Sequence, residues 1–250
     1  MVDGAVINTR KTDENGSTWR ENKLGLVFHR TDLRKRTGKS TSGQEIQYDI
    51  TKKEANLWFD VTLLGSVDEF KKHLYACALR NGYGQFETTV IVSDGATWIR
   101  NMADELFPDA VQILDLFHLK ENIYTFAKHL HGDDPAKYVP WAESLIALAE
   151  NSRTDELLGK LLEYKGMKLP PGVVNIYTYV YNNRSKIDYL TYRAHGYYVG
   201  SGPIESGNKI VLQRRCKQAG MRWNERCAQH MLTLCARAAS KLGFRLRPAA

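Results

Sequence analysis

Apolar and polar positions alternate with different periods along the chain, and the changes of period divide it. From Asp3 to about Leu64 the period is two. KLGLVFH (Lys23–His29), QEIQYDI (Gln44–Ile50) and NLWFDVTLL (Asn56–Leu64) predict half-buried strands. SVDEFKKHLYACALRNG then takes helical spacing, with Ser66 as N-cap, Glu69 at the capping-box position and Gly82 as the stop. Next come a short buried strand, TTVIVSD, a helix, GATWIRNMADELF, and a second buried strand, DAVQILD. The helix LFHLKENIYTFAKHLHG closes at Gly132. The order β-β-β-α-β-α-β-α predicts an α/β sheet with mixed strand directions.

Beyond Asp133 the spacing is helical almost throughout. DPAKYVPWAESLIALAEN and TDELLGKLLEYKG read as amphipathic helices. The segment from Pro170 to Arg193 reads as helix after its two prolines, although Tyr177, Tyr179 and Tyr181 also fit the alternation of a strand. Two more helices are predicted, about Pro203–Gln218 and Asn224–Leu242. The expected organisation is a core built from 1–132, a helical insertion over 133–198, and basic C-terminal helices over 199–250 that complete the core.

Composition narrows the function. No apolar run approaches the roughly 18 residues of a membrane span, and MVDGAVINTR lacks the apolar stretch of a signal peptide. The four cysteines show no CxxC spacing, which argues against structural zinc and for free thiols in a reducing cytoplasm. Charge is unevenly placed. From Pro203 onward there are ten Lys or Arg against two Glu, so the whole excess of the chain's +7 lies in its last fifth. Such a concentration is the footprint of a polyanion site, or else a solvated helix face with a basic tail. A second basic cluster, HRTDLRKRTGK (His29–Lys39), reads as a soluble loop able to meet phosphates.

Three carboxylates fall at informative places. Asp3 lies on the first strand, Asp94 ends a buried strand before a Gly-Ala turn, and Glu205 follows Gly-Ser-Gly-Pro after the helical region. An acid at the carboxyl end of a buried strand stands where open α/β sheets place their chemistry. Hard oxygen ligands with open positions suit Mg²⁺ or Mn²⁺. Two such ions about 3.5–4 Å apart can activate a nucleophile and stabilise the leaving oxygen of a phosphodiester. Each acid also has a plainer reading. Glu205 in a first helical turn favours the helix dipole, and Asp3 fits an ordinary Asp-Gly turn. Asp115, which also ends a strand, competes with Asp94.

The segments VSDGATWIRNMADELFPDAVQILDLFHLKENI and GYYVGSGPIESGNKIVLQRRCKQAGMRW, in that order, together with VDGAVINTR near the start, resemble the DDE transposases of bacterial insertion sequences in the Mutator-like group. The resemblance extends over most of the chain. It implies a ribonuclease-H-like mixed sheet with an all-helical insertion before the last catalytic helix. By the same resemblance Asp3, Asp94 and Glu205 form the catalytic, metal-holding triad with two Mg²⁺ or Mn²⁺ ions, and Asp115 with His118 forms the supporting D-x-x-H pair. His118 also fits a satisfied core histidine. Lys209, Arg214, Arg215, Lys217 and Arg222 are candidate phosphate contacts, with 214 and 217 on one helix face. Trp98 and Trp223 read as core residues or as stacking platforms. The implied partners are double-stranded DNA (transposon ends and target) and a second copy of the chain, with no membrane, in a bacterial cytoplasm at the nucleoid. Such enzymes carry a long region before the first Asp, so the resemblance predicts an N-terminally truncated transposase. The alternative is a non-catalytic DNA-binding remnant.

Overall fold

The structure is a computed structural model that describes residues 1–39, 45–52, 55–63 and 65–240, with the side chains of 38–39, 45–49 and 62–63 outside the description. Gln44, Leu64 and 241–242 of the predicted elements therefore lie outside the described residues. The protein is mixed α/β. Among the described residues its strands form three small sheets, where the strand order predicts one mixed sheet. The chain divides into two compact units. One contains Met1–Thr89, Asp104–Pro108 and the chain from Gly202; the other contains Val90–Ala103 and Asp109–Ser201.

In the first unit β1 (Val2–Asn8), β2 (Trp19–Val27) and β5 (Trp58–Leu63) make an antiparallel sheet in the order β1-β2-β5. Asp3 lies opposite Leu24, and Leu24 opposite Val61. Period two puts Leu24 and Leu26 on one face and Gly25 on the other. The Gly25 face meets α1 (Val67–Arg80): a Cβ there would stand 2.7 Å from Leu74 Cδ1 and 3.4 Å from Phe70 Cζ. Ser66 caps α1 by accepting from Glu69 N at 3.1 Å, as its sequence predicts.

The Leu24 face is covered by the C-terminal helices. Here α8 (Gly202–Gly207) runs into a π-helical segment, Asn208–Gln213, and then α9 (Arg214–Cys216); α10 (Glu225–Ala239) follows. Ile7, Leu24, Leu26, Phe59 and Val61 of the sheet pack with Ile204, Val211, Leu212, Ala228, Leu232 and Ala236 in one buried cluster. The Asn224 side chain caps α10 by accepting from Arg226 N and Cys227 N.

Two sequence expectations change here. The basic stretch His29–Lys39 is not a loop: after a 3₁₀ turn, β3 (Leu33–Lys39) pairs antiparallel with β4 (Glu45–Thr51) as a separate ribbon. Its polar residues fall at both parities, so no apolar alternation announces it. The helix expected from Pro203 to Gln218 ends at Cys216, and Lys217 is its C-cap with φ −125°. Lys217 N still donates to Gln213 O at 3.2 Å, so the residue is held at the end of that helix.

In the second unit β6 (Val90–Ser93) and β7 (Val111–Leu114) pair in parallel. The element between them, α2 (Thr97–Leu106), is divided between the two units. The region after β7 is helical: α3 (Leu116–His131), α4 (Pro135–Glu150), α5 (Thr154–Leu161), α6 (Ile176–Asn183) and α7 (Tyr189–Ala194). The tyrosine alternation thus lies on a helix. The helices after Asp133 do not stand as a unit of their own, because they are bonded to the strand pair. The Tyr189 hydroxyl donates to Leu114 O at 2.9 Å, and Leu116 N donates to Val199 O at 2.9 Å.

Candidate functional site

In the second unit, Ser93 is paired with Leu114, so Asp94 and Asp115 follow side by side at the carboxyl ends of two parallel strands. Asp115 N donates to Ser93 O at 2.7 Å and ties the two exits together. Asp94 is half-buried, and its Oδ1 accepts from Ala96 N at 2.9 Å, turning the chain into α2. Gly95 makes the turn possible. Its φ is +87°, and a Cβ there would lie 2.8 Å from Leu114 Cδ1 and 2.9 Å from Asn183 Nδ2. Both the dihedral and the space demand glycine.

Asp115 differs from Asp94 in access and in partners. It is 1% exposed, and its oxygens are taken up by its own helix: Oδ1 accepts from Phe117 N at 2.8 Å, and Oδ2 lies 2.6 Å from His118 Nδ1. The i,i+3 spacing of D-x-x-H on α3 produces that contact. Asp115 therefore orients His118 while Asp94 stays the more accessible acid. His118 is not a core histidine, since 31% of its side chain is exposed.

The backbone behind this pair is braced by two tyrosines. Tyr179 on α6 donates to Asp94 O at 2.6 Å, as Tyr189 does to Leu114 O. Burial raises the Tyr179 hydroxyl above its ordinary value, and the Asp94 charge adds to the shift, so it stays protonated and keeps donating. Burial does the same for Tyr189.

In the first unit, the Asp3–Leu24 pairing turns Asp3 toward the C-terminal helices. Its Oδ1 accepts from Gly4 N at 2.8 Å, and its Oδ2 accepts from Asn208 Nδ2 at 2.5 Å across 205 residues of sequence. Asn208 stands three residues after Glu205, hence on the same side of the helix. Glu205 is half-buried in the first turn of α8. The helix lies close on the sheet because position 207 is glycine: a Cβ there would come within 2.5 Å of Phe59 Cε1. Asn208 is 6% exposed, and its Oδ1 is buried without a hydrogen-bond partner. It begins the π segment, a geometry enriched at functional sites.

Asn208 and the bracing tyrosines are the residues that sequence reasoning missed. Asn208 had a legible signal. It interrupts the apolar stripe Ile204–Val211 on the core face of its helix, and a polar residue in a buried stripe is the informative exception.

The five basic candidates, Lys209, Arg214, Arg215, Lys217 and Arg222, are all exposed, and none pairs with an acid among the described residues. Trp223 is a structural residue. Its N donates to Asn8 O at 3.0 Å, its Nε1 donates to Cys216 O at 3.1 Å, and it packs against the core. Trp98 is half-buried on α2.

The donor set fits a hard divalent cation: Asp3, Asp94 and Glu205 offer oxygen alone. Among the described residues no three His, Cys, Asp or Glu side chains converge closely enough to hold an ion. Asp3 and Glu205 belong to one compact unit, and Asp94, Asp115 and His118 to the other. Among the described residues no helix is long and apolar enough to cross a membrane. The sequence matches no protein-family model, and it matches no curated protein.

Proposed function

We propose that this chain is a DDE-type transposase with a ribonuclease-H-like catalytic core, cleaving and transferring DNA strands at the ends of an insertion sequence with Mg²⁺ or Mn²⁺. The observation that carries the reading is the bond between Asn208 and Asp3. It ties the first acid of the chain to the helix that bears Glu205, one turn away.

Asp3, Asp94 and Glu205 are the residues that would hold the cations. When bound there, a divalent ion lowers the pKa of an attacking water or 3′-hydroxyl and offsets phosphate charge. The chain's own groups do the positioning. Asn208 fixes the Asp3 carboxylate. Asp115 engages His118 Nδ1 and so orients the imidazole beside the strand ends. Lys209, Arg214, Arg215, Lys217 and Arg222 neutralise backbone phosphates, in keeping with their exposure.

The test is a nicking assay on DNA carrying the element's ends, with Mg²⁺ or Mn²⁺, run beside filter binding. Wild type should nick and should join a 3′-hydroxyl to target DNA. Glu205→Gln and Asp94→Asn should lose cleavage by more than about a hundredfold and keep their binding. Nicking that survives in Glu205→Gln returns that acid to the helix-dipole reading. Wild type that binds DNA but never nicks it identifies the non-catalytic remnant.

A further inference from the structure

One surface of the second unit is explained neither by its core nor by the acids at the strand ends. On α6, Tyr179 turns inward to the Asp94 carbonyl. Tyr177 and Tyr181, an i,i+4 pair, lie on a different side of the helix and stack on each other, with centroids 5.9 Å apart and planes within 13°. A cation lies by each ring. Lys165 Nζ lies 6.0 Å from the centre of the Tyr177 ring, and the Arg184 guanidinium 4.5 Å from that of Tyr181. Tyr181 is 46% exposed, and Leu162, Met167 and Val174 nearby in the chain are exposed as well. From Lys160 to Arg184 the segment has four exposed Lys or Arg against one Glu.

The outer face of an amphipathic helix is ordinarily charged and aliphatic-poor. Here it presents two near-parallel rings with a cation by each, in a neighbourhood with a positive excess. Flat π faces take planar partners, and the cations call for an anion. An unpaired nucleotide is both at once. We infer that this ladder, Lys165–Tyr177–Tyr181–Arg184, is a docking strip for single-stranded DNA. A base stacks on an exposed face of Tyr181, and the Arg184 guanidinium, which now lies by that ring and donates from Nη1 to Tyr181 O at 2.8 Å, turns to the flanking phosphate. Stacking a base on an exposed ring, with a charge-assisted bond from the guanidinium to phosphate, outweighs a solvent-exposed cation–π contact and one exposed bond to Tyr181 O, so the exchange is favourable. A duplex keeps its bases stacked within itself and cannot make it.

The inference does not depend on strand cleavage. It is tested on the full chain in EDTA, by anisotropy of a fluorescein-labelled oligothymidylate and of a duplex of equal length. Tyr177→Leu/Tyr181→Leu removes both rings and keeps apolar bulk. It should weaken oligothymidylate binding by about fivefold to a hundredfold and leave duplex binding unchanged. Tyr177→Phe/Tyr181→Phe should bind as wild type. Arg184→Gln should flatten the salt dependence for the single strand by about 0.7 in log–log slope. As a measurement that needs no variant, an iodouracil-substituted oligonucleotide irradiated on wild type should crosslink to Tyr177 or Tyr181. Crosslinks that map only elsewhere overturn the proposal. So does a Leu variant with wild-type affinity, or one that loses single-strand and duplex binding equally. Nicking by the Leu variant on end-containing DNA reports separately on the transposase reading.

Discussion

Asn208 provides the sharpest test of how the first unit is built, because two large terms oppose each other at one side chain. Its Nδ2 donates a charge-assisted hydrogen bond to Asp3, worth about 1.5–3 kcal/mol. Its Oδ1 is buried without a partner, which costs about 1–3 kcal/mol. The native side chain is therefore close to neutral for stability. Asn208→Leu removes both terms and places a branched apolar group in the stripe that already contains Ile204 and Val211. Asp3 is only half-buried, so water can replace the lost donor. The expected net change lies between zero and about 1 kcal/mol of stabilisation, taking roughly 0.8 kcal/mol per added buried methylene. The assay is urea denaturation, read as a shift of midpoint at constant slope. Cleavage should move the other way. With Asp3 no longer held, a displacement on the order of 1 Å costs on the order of 10²-fold in nicking. Loss of more than about 2 kcal/mol of stability would show that Asn208 is an ordinary structural residue and that the bookkeeping of its orphaned oxygen is wrong. Unchanged nicking would remove it from the site.

Two further predictions concern the second unit. Gly95→Ala must adopt a φ of +87° and meet Leu114 and Asn183 at 2.8 and 2.9 Å, so a loss of about 2–4 kcal/mol should appear in the urea midpoint; a shift under about 0.5 kcal/mol would mean that the Asp94 turn relaxes freely. Glu150 bonds both Lys120, at 2.9 Å, and Arg193, at 3.4 Å; burial pushes its carboxyl up, but the two cations outweigh burial and hold it below the ordinary carboxylate value. A depressed folded-state pKa contributes stability that is present above the unfolded value, near 4.5, and is lost as pH falls through the folded one. Glu150→Gln should therefore cost about 0.5–1 kcal/mol at neutral pH and flatten the acid limb of a stability–pH curve, and parallel limbs in the two proteins would refute the assignment.

The parts of this fold legible in the sequence are those whose signals are local. Helix α1 announces itself through Ser66, Glu69 and Gly82 because capping chemistry sits within a few residues of the element it ends. Strands β6 and β7 are apolar runs bounded by Asp and Gly, and α3 begins where Asp115 can accept from its own first turn. Strand β3 hides because LRKRTGK is polar at both parities and owes its extended form to pairing with β4. The division into three sheets among the described residues is hidden for a related reason: strand order does not specify which edges meet. The break at Asn208 into π geometry is invisible to a 3.6-residue period, which runs through it unbroken.

What the sequence does not show is where distant groups bond, and the candidate residues of each unit depend on such bonds. Asp94 and Asp115 stand at strand ends whose carbonyls are held by Tyr179 and Tyr189, 85 and 75 residues further on. Asp3 is held by Asn208 at a separation of 205. In each case the acid lies early in the chain and its brace arrives late, on a helix that reads locally as amphipathic filler or as a basic face. The two tyrosines fix the backbone from which these acids project, and the carboxylates themselves are held by Ala96 N and Phe117 N; a site for divalent cations would depend on both. The helical region after Asp133 thus serves the strand pair directly. Deleting it would remove the donors to the Asp94 and Leu114 carbonyls and leave two backbone acceptors unpaired at the place where the chemistry is proposed, at about 1–3 kcal/mol for each that stays buried. The bracing tyrosines therefore hold the backbone beside the candidate acids, although they lie on helices whose sequence shows no sign of it.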